Sequence, residues 1–235
     1  MNTSVRRIQA ILVKDYKEFS RNLAVSSMIF LPLILAAFYA RVGVDTIQGY
    51  FMSINITFSM VATYVQCCLI AEEKEKNTLR SLMLSPASTS EILIGKSTLT
   101  FISTMLIVGG CMYLSGYMPR NFVVMAIALM ISAVFYIAVG TFLGLFAKSV
   151  MESSVIVLPV LAIFSLGPMG MAYIENYPIL KVIEWFPSVQ IILLGELLEK
   201  SFALGDLIKP FAVIIGWIII AAIATVVTFK KRMVD

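Results

Sequence analysis

The chain has 235 residues, 60% of them hydrophobic and 14% charged, with a formal net charge of +4 and a mean hydropathy of +0.93. A water-soluble domain sits near about 45–50% apolar, so lipid is the main solvent expected here. Histidine is absent, which excludes histidine metal sites, bases and triads. Cys67, Cys68 and Cys111 lie in apolar runs without metal-ligand spacing.

The first element is the lead VRRIQAILVKDYKEFSRN, residues 5–22. Ile8, Ile11, Leu12, Tyr16 and Phe19 recur at helical spacing, with basic residues on the other face. That predicts an amphipathic helix over residues 1–22 lying in the membrane interface, lysine and arginine toward anionic headgroups. Contact with a partner on the same side is the alternative. No signal peptide is expected, because no small-residue cleavage site closely follows the first apolar run.

Six segments offer the roughly 20 apolar residues that a spanning helix needs: residues 23–40, 50–71, 97–118, 121–147, 153–174 and 210–229. The expected fold is an all-α integral membrane protein, a single transmembrane domain over residues 1–235. Pro32 bends the first span; Pro159 and Pro168 kink the fifth. Gly140 and Gly144 form a small-residue packing motif in the fourth. With the N-terminus in the cytoplasm, 13 of the 18 Lys and Arg residues fall inside. The positive-inside rule then predicts both termini in the cytoplasm, and the expected location is the plasma membrane, as a multi-pass protein.

No span carries Asp, Glu, Lys or Arg in its interior, whereas proton relays need such groups. The energy source is therefore expected outside this chain, although sodium can be held by neutral oxygens alone. Asn55, Ser59 and Thr63 recur every four residues in the second span. They either bond neighbouring helices or line a pathway wall at a dimer interface.

Between spans two and three the hydrocarbon is interrupted. Residues 71–96, AEEKEKNTLRSLMLSPASTSEILIGK, hold eight of the 32 formal charges. Leu79, Leu82 and Met83 make an apolar face at i, i+3, i+4, and Asn77 can cap it. Pro86 breaks the helix, and Ser88 with Glu91 has the spacing of a capping box that launches span three. The residues fit either a helix docked on a partner or a well-capped connector.

The run Glu73-Lys74-Glu75, Thr78-Leu79, Leu82 and Pro86, followed by Glu91 and Gly95-Lys96, resembles the signature loop of ABC-2 type transporter permeases. The six spans, the basic lead and the long loop before the last span are similar to that family too, so the resemblance covers essentially the whole chain. It implies that residues 72–96 form a cytoplasmic coupling helix docking into a separate nucleotide-binding subunit. The implied docking residues are Glu73, Glu75, Thr78, Leu79, Arg80, Leu82 and Met83. ATP and Mg are then held by that ABC ATPase subunit. The resemblance further implies that this chain binds no cofactor or metal, has no catalytic residue, and pairs with a second copy as a homodimer or with a paralogous permease. No nucleic acid partner is expected. Gly95-Lys96-Ser97 mimics the tail of a phosphate loop, but Ser90 stands where the first glycine belongs and no strand precedes it.

Residues 175–209 are too long for a hairpin and too apolar for a free loop. The run 186–198 is too short to cross a bilayer, which suggests a re-entrant or interfacial segment. The resemblance implies paired short helices entering the outer leaflet and roofing the pathway, with Trp185, Phe186 and Pro187 at an outer gate. A peripheral amphipathic hairpin is the alternative.

The predicted function is a permease subunit of an ATP-driven exporter. Its expected cargo is amphipathic or hydrophobic, an antimicrobial or other amphipathic peptide first, then a lipophilic drug or lipid-linked glycan. The rival readings are a secondary carrier or channel, and a peptide-immunity membrane protein. Glu72-Glu73 resembles half of an intramembrane protease motif, but there is no histidine to complete it.

Overall fold

The computed structural model describes residues 3–78, 84–85, 87–200 and 202–232. Every regular element among them is helical. A first helix, α1, covers Thr3–Arg21. Six helices long and apolar enough to cross a membrane follow: Leu23–Val42, Ile47–Glu75, Ser90–Ser115, Phe122–Phe146, Val150–Tyr173 and Leu204–Phe229, here called spans 1 to 6. Between spans 5 and 6 lies a pair of shorter helices, Pro178–Trp185 and Pro187–Leu198, bent by 84°.

One end of the bundle gathers the termini. Phe229 of span 6 meets Ile70 of span 2 and Leu145 of span 4 there. The far end is tied by Tyr50 stacked on Tyr117 and by Gln48 Nε2 donating to Pro168 O at 3.2 Å.

Span 2 is the core. Within its most apolar window, 89% of residues are buried inside the chain, against 17% in spans 1 and 6. Lipid reverses the soluble rule: apolar surface is at home outside, and polar groups turn inward to find partners. Gln66 shows this. Its Nε2 donates to Thr141 Oγ1 at 3.0 Å and its Oε1 accepts from Thr100 Oγ1 at 2.6 Å, joining spans 2, 3 and 4. Phe58 stacks on Tyr136 of span 4 at 5.1 Å between ring centroids.

Two stretches widen into π-helix, Phe58–Val65 in span 2 and Ala162–Leu166 in span 5. They meet where Ser165 Oγ donates to Ser59 Oγ at 2.8 Å. Span 5 is a regular α-helix over Val150–Ile156 and irregular beyond it. Past Pro159 its helix becomes π, and from Gly167 and Pro168 it tightens into a 3₁₀ turn.

The bend in the short pair has a local cause. Phe186 precedes Pro187, so its backbone is pushed out of the helical region and sits at φ −83, ψ 140. The second helix then starts with proline in its first turn. That helix is no peripheral cover. Ile191, Ile192, Leu194 and Leu198 belong to the main core with Phe51 and Met125. Gly195 lets it close on Phe51, whose Cε2 would lie 2.8 Å from an added Cβ.

Spans 2 and 4 touch backbone to backbone at Gly140, where an added Cβ would lie 2.5 Å from Thr63 O. Gly140→Ala is therefore expected to lower stability by about 1–3 kcal/mol, read as a lower unfolding temperature in detergent micelles. An unchanged temperature would mean that the two backbones can separate at little cost.

Candidate functional site

The charged insert emerges from the end of span 2, and its stem is ordered by its own side chains. Successive residues on a helix point about 100° apart, so Glu72, Glu73, Lys74 and Glu75 fan out to different neighbours. Glu72 Oε1 accepts from Lys76 Nζ at 2.6 Å, and Lys76 also reaches Glu18 of α1 at 3.4 Å. The Lys76 pKa is raised, chiefly by its hydrogen bond to Glu72. Lys74 Nζ donates to Leu145 O at 2.7 Å and Ala147 O at 2.6 Å, closing the carbonyl end of span 4. Glu75 Oε2 accepts from Val150 N at 2.9 Å, capping the first turn of span 5. Each charge sits on the helix pole of opposite sign.

Glu73 points inward. Its side chain is 1% exposed and accepts from Lys96 Nζ at 2.9 Å, from Lys14 and from the Thr78 hydroxyl. Lys96 Nζ donates also to Asp15 Oδ1 at 3.0 Å. Lys96 and Asp15 are both 0% exposed. The result is a buried cluster of two carboxylates and an ammonium, with Lys14 closing it from the rim. Burial holds the Asp15 pKa above the usual carboxylate value, an effect the neighbouring Lys96 charge offsets only in part. Carboxylate oxygens of Asp15, Glu18 and Glu73 lie within 4.8 Å of one another, a spacing that can suit a metal ion. Here Lys96 and Lys14 place ammonium groups on them, and the donor set is that of an ion-pair cluster.

Local sequence explains how these groups meet. Ile11, Asp15 and Phe19 stand at i, i+4 on the buried face of α1. Gly95 lets that face approach span 3, since an added Cβ would lie 2.9 Å from Ile11 Cγ2. The next residue, Lys96, then reaches Asp15. Span 3 is launched by the expected capping box, with Glu91 N donating to Ser88 Oγ at 3.3 Å and Ser88 N to Glu91 Oε2 at 2.8 Å. Arg7 Nη1 pairs with the same Glu91 oxygen at 3.4 Å. The face of α1 assigned to the membrane interface is thus largely covered by span 3, while Tyr16 is exposed beside it.

These contacts redistribute the sites expected from sequence. Glu73, expected on the docking surface, is turned into the chain. Glu75 is exposed and bonded to span 5. Thr78 folds back onto Glu73. Leu79, Arg80, Leu82 and Met83 lie outside the described residues, as does Pro86. Asn77 has φ 55 and closes the end of span 2. Lys96, the mimic of a phosphate-loop lysine, is buried in a helix with carboxylates on it.

The polar trio of span 2 is fully buried and serves three neighbours. Asn55 Nδ2 donates to Ser188 O at 3.4 Å, Ser59 Oγ accepts from Ser165 Oγ of span 5, and Thr63 Oγ1 donates to Tyr136 O of span 4 at 3.1 Å. Within this chain the three hold helices together. Of the outer trio, Pro187 is buried, while Phe186 packs edge-on against Phe164 at 5.6 Å. Trp185 is 59% exposed, with Lys209 Nζ 5.9 Å from its ring centroid and its carbonyl accepting from Trp217 Nε1 at 2.7 Å.

Sequence reading missed Asp15, Lys74 and Lys96 as working residues. The signal for Asp15 was present: a carboxylate on the apolar stripe of an amphipathic helix cannot face lipid unpaired. Lys96 was a basic residue at the start of a span, indistinguishable from a topology signal.

Removing one partner of a buried pair leaves the other charge uncompensated and costs about 3–5 kcal/mol. Lys96→Ala, which strands the buried carboxylate of Asp15 and takes a partner from Glu73, is expected to show that loss in unfolding from mixed micelles. Glu72→Ala, which breaks only the partly exposed pair with Lys76, is expected to cost under about 1 kcal/mol. Equal losses would refute the distinction.

A family model described as ABC-2 type transporter matches residues 6–191. That stretch contains most of α1, the stem, the buried charge cluster and the first five spans. No curated protein matches the chain.

Proposed function

The chain belongs to the ABC-2 type transporter family, and from that premise we propose that it is the permease of an ATP-driven exporter, worked through the loop that leaves span 2. As a family member it is a multi-pass membrane subunit for transport, whose partner is an ABC ATPase. Our reading adds the direction, the cargo and the route of the force.

One observation carries the reading: the stem of the loop is clamped to α1, span 3, the end of span 4 and the start of span 5 by Glu72, Glu73, Lys74, Glu75 and Lys76. A plain connector needs no such grip. A push on the loop would reach four elements at once. In this reading Leu79, Arg80, Leu82 and Met83 meet the ATPase subunit, with Thr78 and Glu75 at the edge. Glu73 serves the contact indirectly by holding the stem. ATP and Mg act on the partner, and ATP biases the permease only through its differential affinity for the partner's two states. The absence of mid-span ionisable residues supports an external energy source.

The loop faces the cytoplasm in this reading, with both termini beside it, in the plasma membrane. Two copies, or this chain and a paralogue, make the pathway. The cargo is amphipathic or hydrophobic, with an antimicrobial or other amphipathic peptide first, then a lipophilic drug or a lipid-linked glycan. Export is supported by the far end, where exposed Ile179, Val182 and Trp185 make an apolar surface suited to the outer leaflet rather than to a soluble binding protein. The bent pair Pro178–Trp185 and Pro187–Leu198 then dips into that leaflet, with Trp185, Phe186 and Pro187 at its elbow.

Leu82→Asp is expected to leave membrane insertion intact and to reduce the ATPase activity co-purifying with a tagged chain by tenfold or more. A cysteine at Leu82 is expected to crosslink to the ATPase in membranes, and labelling of intact cells at Arg80→Cys is expected to fail. Normal co-purification by Leu82→Asp, or labelling of Arg80→Cys from outside, would overturn the reading.

A further inference from the structure

We propose that the Asp15–Lys96–Glu73 cluster makes α1 and the stem of the loop one rigid lever, which delivers the stroke to span 1. The inference rests on the reading of the loop as the arm moved by the ATPase and assigns Lys96 as a positioning residue for transport.

The cluster is the tightest link between α1 and the rest of the chain. Lys96 bonds a carboxylate on α1 and a carboxylate on span 2 from a site closed to solvent. An ammonium in such a site cannot release either partner without leaving a buried charge unpaired. Any movement of Glu73 must therefore carry Lys96 and Asp15 with it. Lys14 of α1 adds a direct bond to Glu73 at the rim of the cluster, while the pairs Arg7 to Glu91 and Lys76 to Glu18 are longer and partly exposed, and exposed pairs hold weakly. Gly95 keeps the two backbones in contact beside the cluster.

What α1 moves follows from the chain path. It joins span 1 through Asn22 alone, whose Oδ1 accepts from Val25 N at 3.3 Å and caps the first turn beyond the elbow. Span 1 is among the least enclosed spans, with 17% of its window buried. It is thus connected to the lever by one residue and keeps most of its surface outside the bundle, whereas span 2 is buried in the core. A stroke on the stem turns α1, and α1 swings span 1 about Asn22.

The test uses the complex of the tagged chain with its co-purifying ATPase in lipid nanodiscs, and Mg-ATP as the probe. Spin labels are placed at exposed positions: Ser20→Cys on α1, Leu84→Cys at the loop and Met118→Cys at the far end as the reference. Native Cys67, Cys68 and Cys111 are buried. In the otherwise native chain both the Ser20–Met118 and the Leu84–Met118 distances are expected to shift with Mg-ATP. The variant Asp15→Asn, Glu73→Gln, Lys96→Met keeps the side-chain shapes and leaves no buried charge unpaired, since Lys14 is partly exposed and keeps Glu18 beside it. It is expected to retain the Leu84 shift and to lose the Ser20 shift. Asp15→Asn alone, which keeps the Lys96–Glu73 pair, is expected to broaden the Ser20–Met118 distances with ATP binding unchanged. A Ser20 shift that survives in the triple variant, or one that is missing from the native chain while Leu84 moves, overturns this inference and leaves the proposed function standing. A native chain in which neither label moves overturns both.

Discussion

An ammonium closed off from water must be surrounded by compensating charge, and Lys96 meets that demand with Asp15 and Glu73. Much of the charged end follows from this one requirement. The apolar stripe of α1 must carry a carboxylate and lie against span 3. Residue 95 must be small enough to let it approach, and span 2 must extend past its apolar core far enough to present Glu73. Buried ion pairs add little net stability, because desolvation offsets most of the attraction. Their value here is geometric: one arrangement of three helices satisfies the charges, and sliding any of them strands one.

The stem adds a second kind of interaction to that joint. Span 4 ends and span 5 begins within a few residues, so a pole of partial negative charge and a pole of partial positive charge stand side by side. Lys74 and Glu75 are adjacent and of opposite sign, and each meets the pole that suits it. The pair therefore holds the turn around Lys148 from both sides, and the end of span 2 cannot rotate without disturbing it.

Away from the charged end, the bundle divides into a fixed core and a looser periphery. Span 2, span 4 and the short helix Pro187–Leu198 interlock through Phe51, Phe58, Tyr136 and Ile191, with the polar groups of span 2 bonded inward. Spans 1 and 6 present most of their surface to the surroundings. The π-helical stretches of spans 2 and 5 lie against each other through Ser59 and Ser165, and such stretches are frequent at functional sites. A molecule built this way has a frame to push against and elements free to respond.

The six spans, their order, the launch of span 3 at Ser88 and Glu91, and a short separate segment over residues 186–198 were all legible in the sequence. Each depends on properties carried within one segment: apolar length or a cap. The tertiary structure alone decided what the charges do. Lys96 and Asp15 are 81 residues apart, and nothing local distinguishes a lysine that marks topology from one that pins two helices. The same holds for the polar trio of span 2, where spacing along one helix gave a face but not the three neighbours that meet it. Burial of the short helix Pro187–Leu198 is another case, since an apolar run looks alike whether lipid or protein covers it. Periodicity and caps are properties of one segment, whereas compensation of a buried charge belongs to the several segments that fold around it.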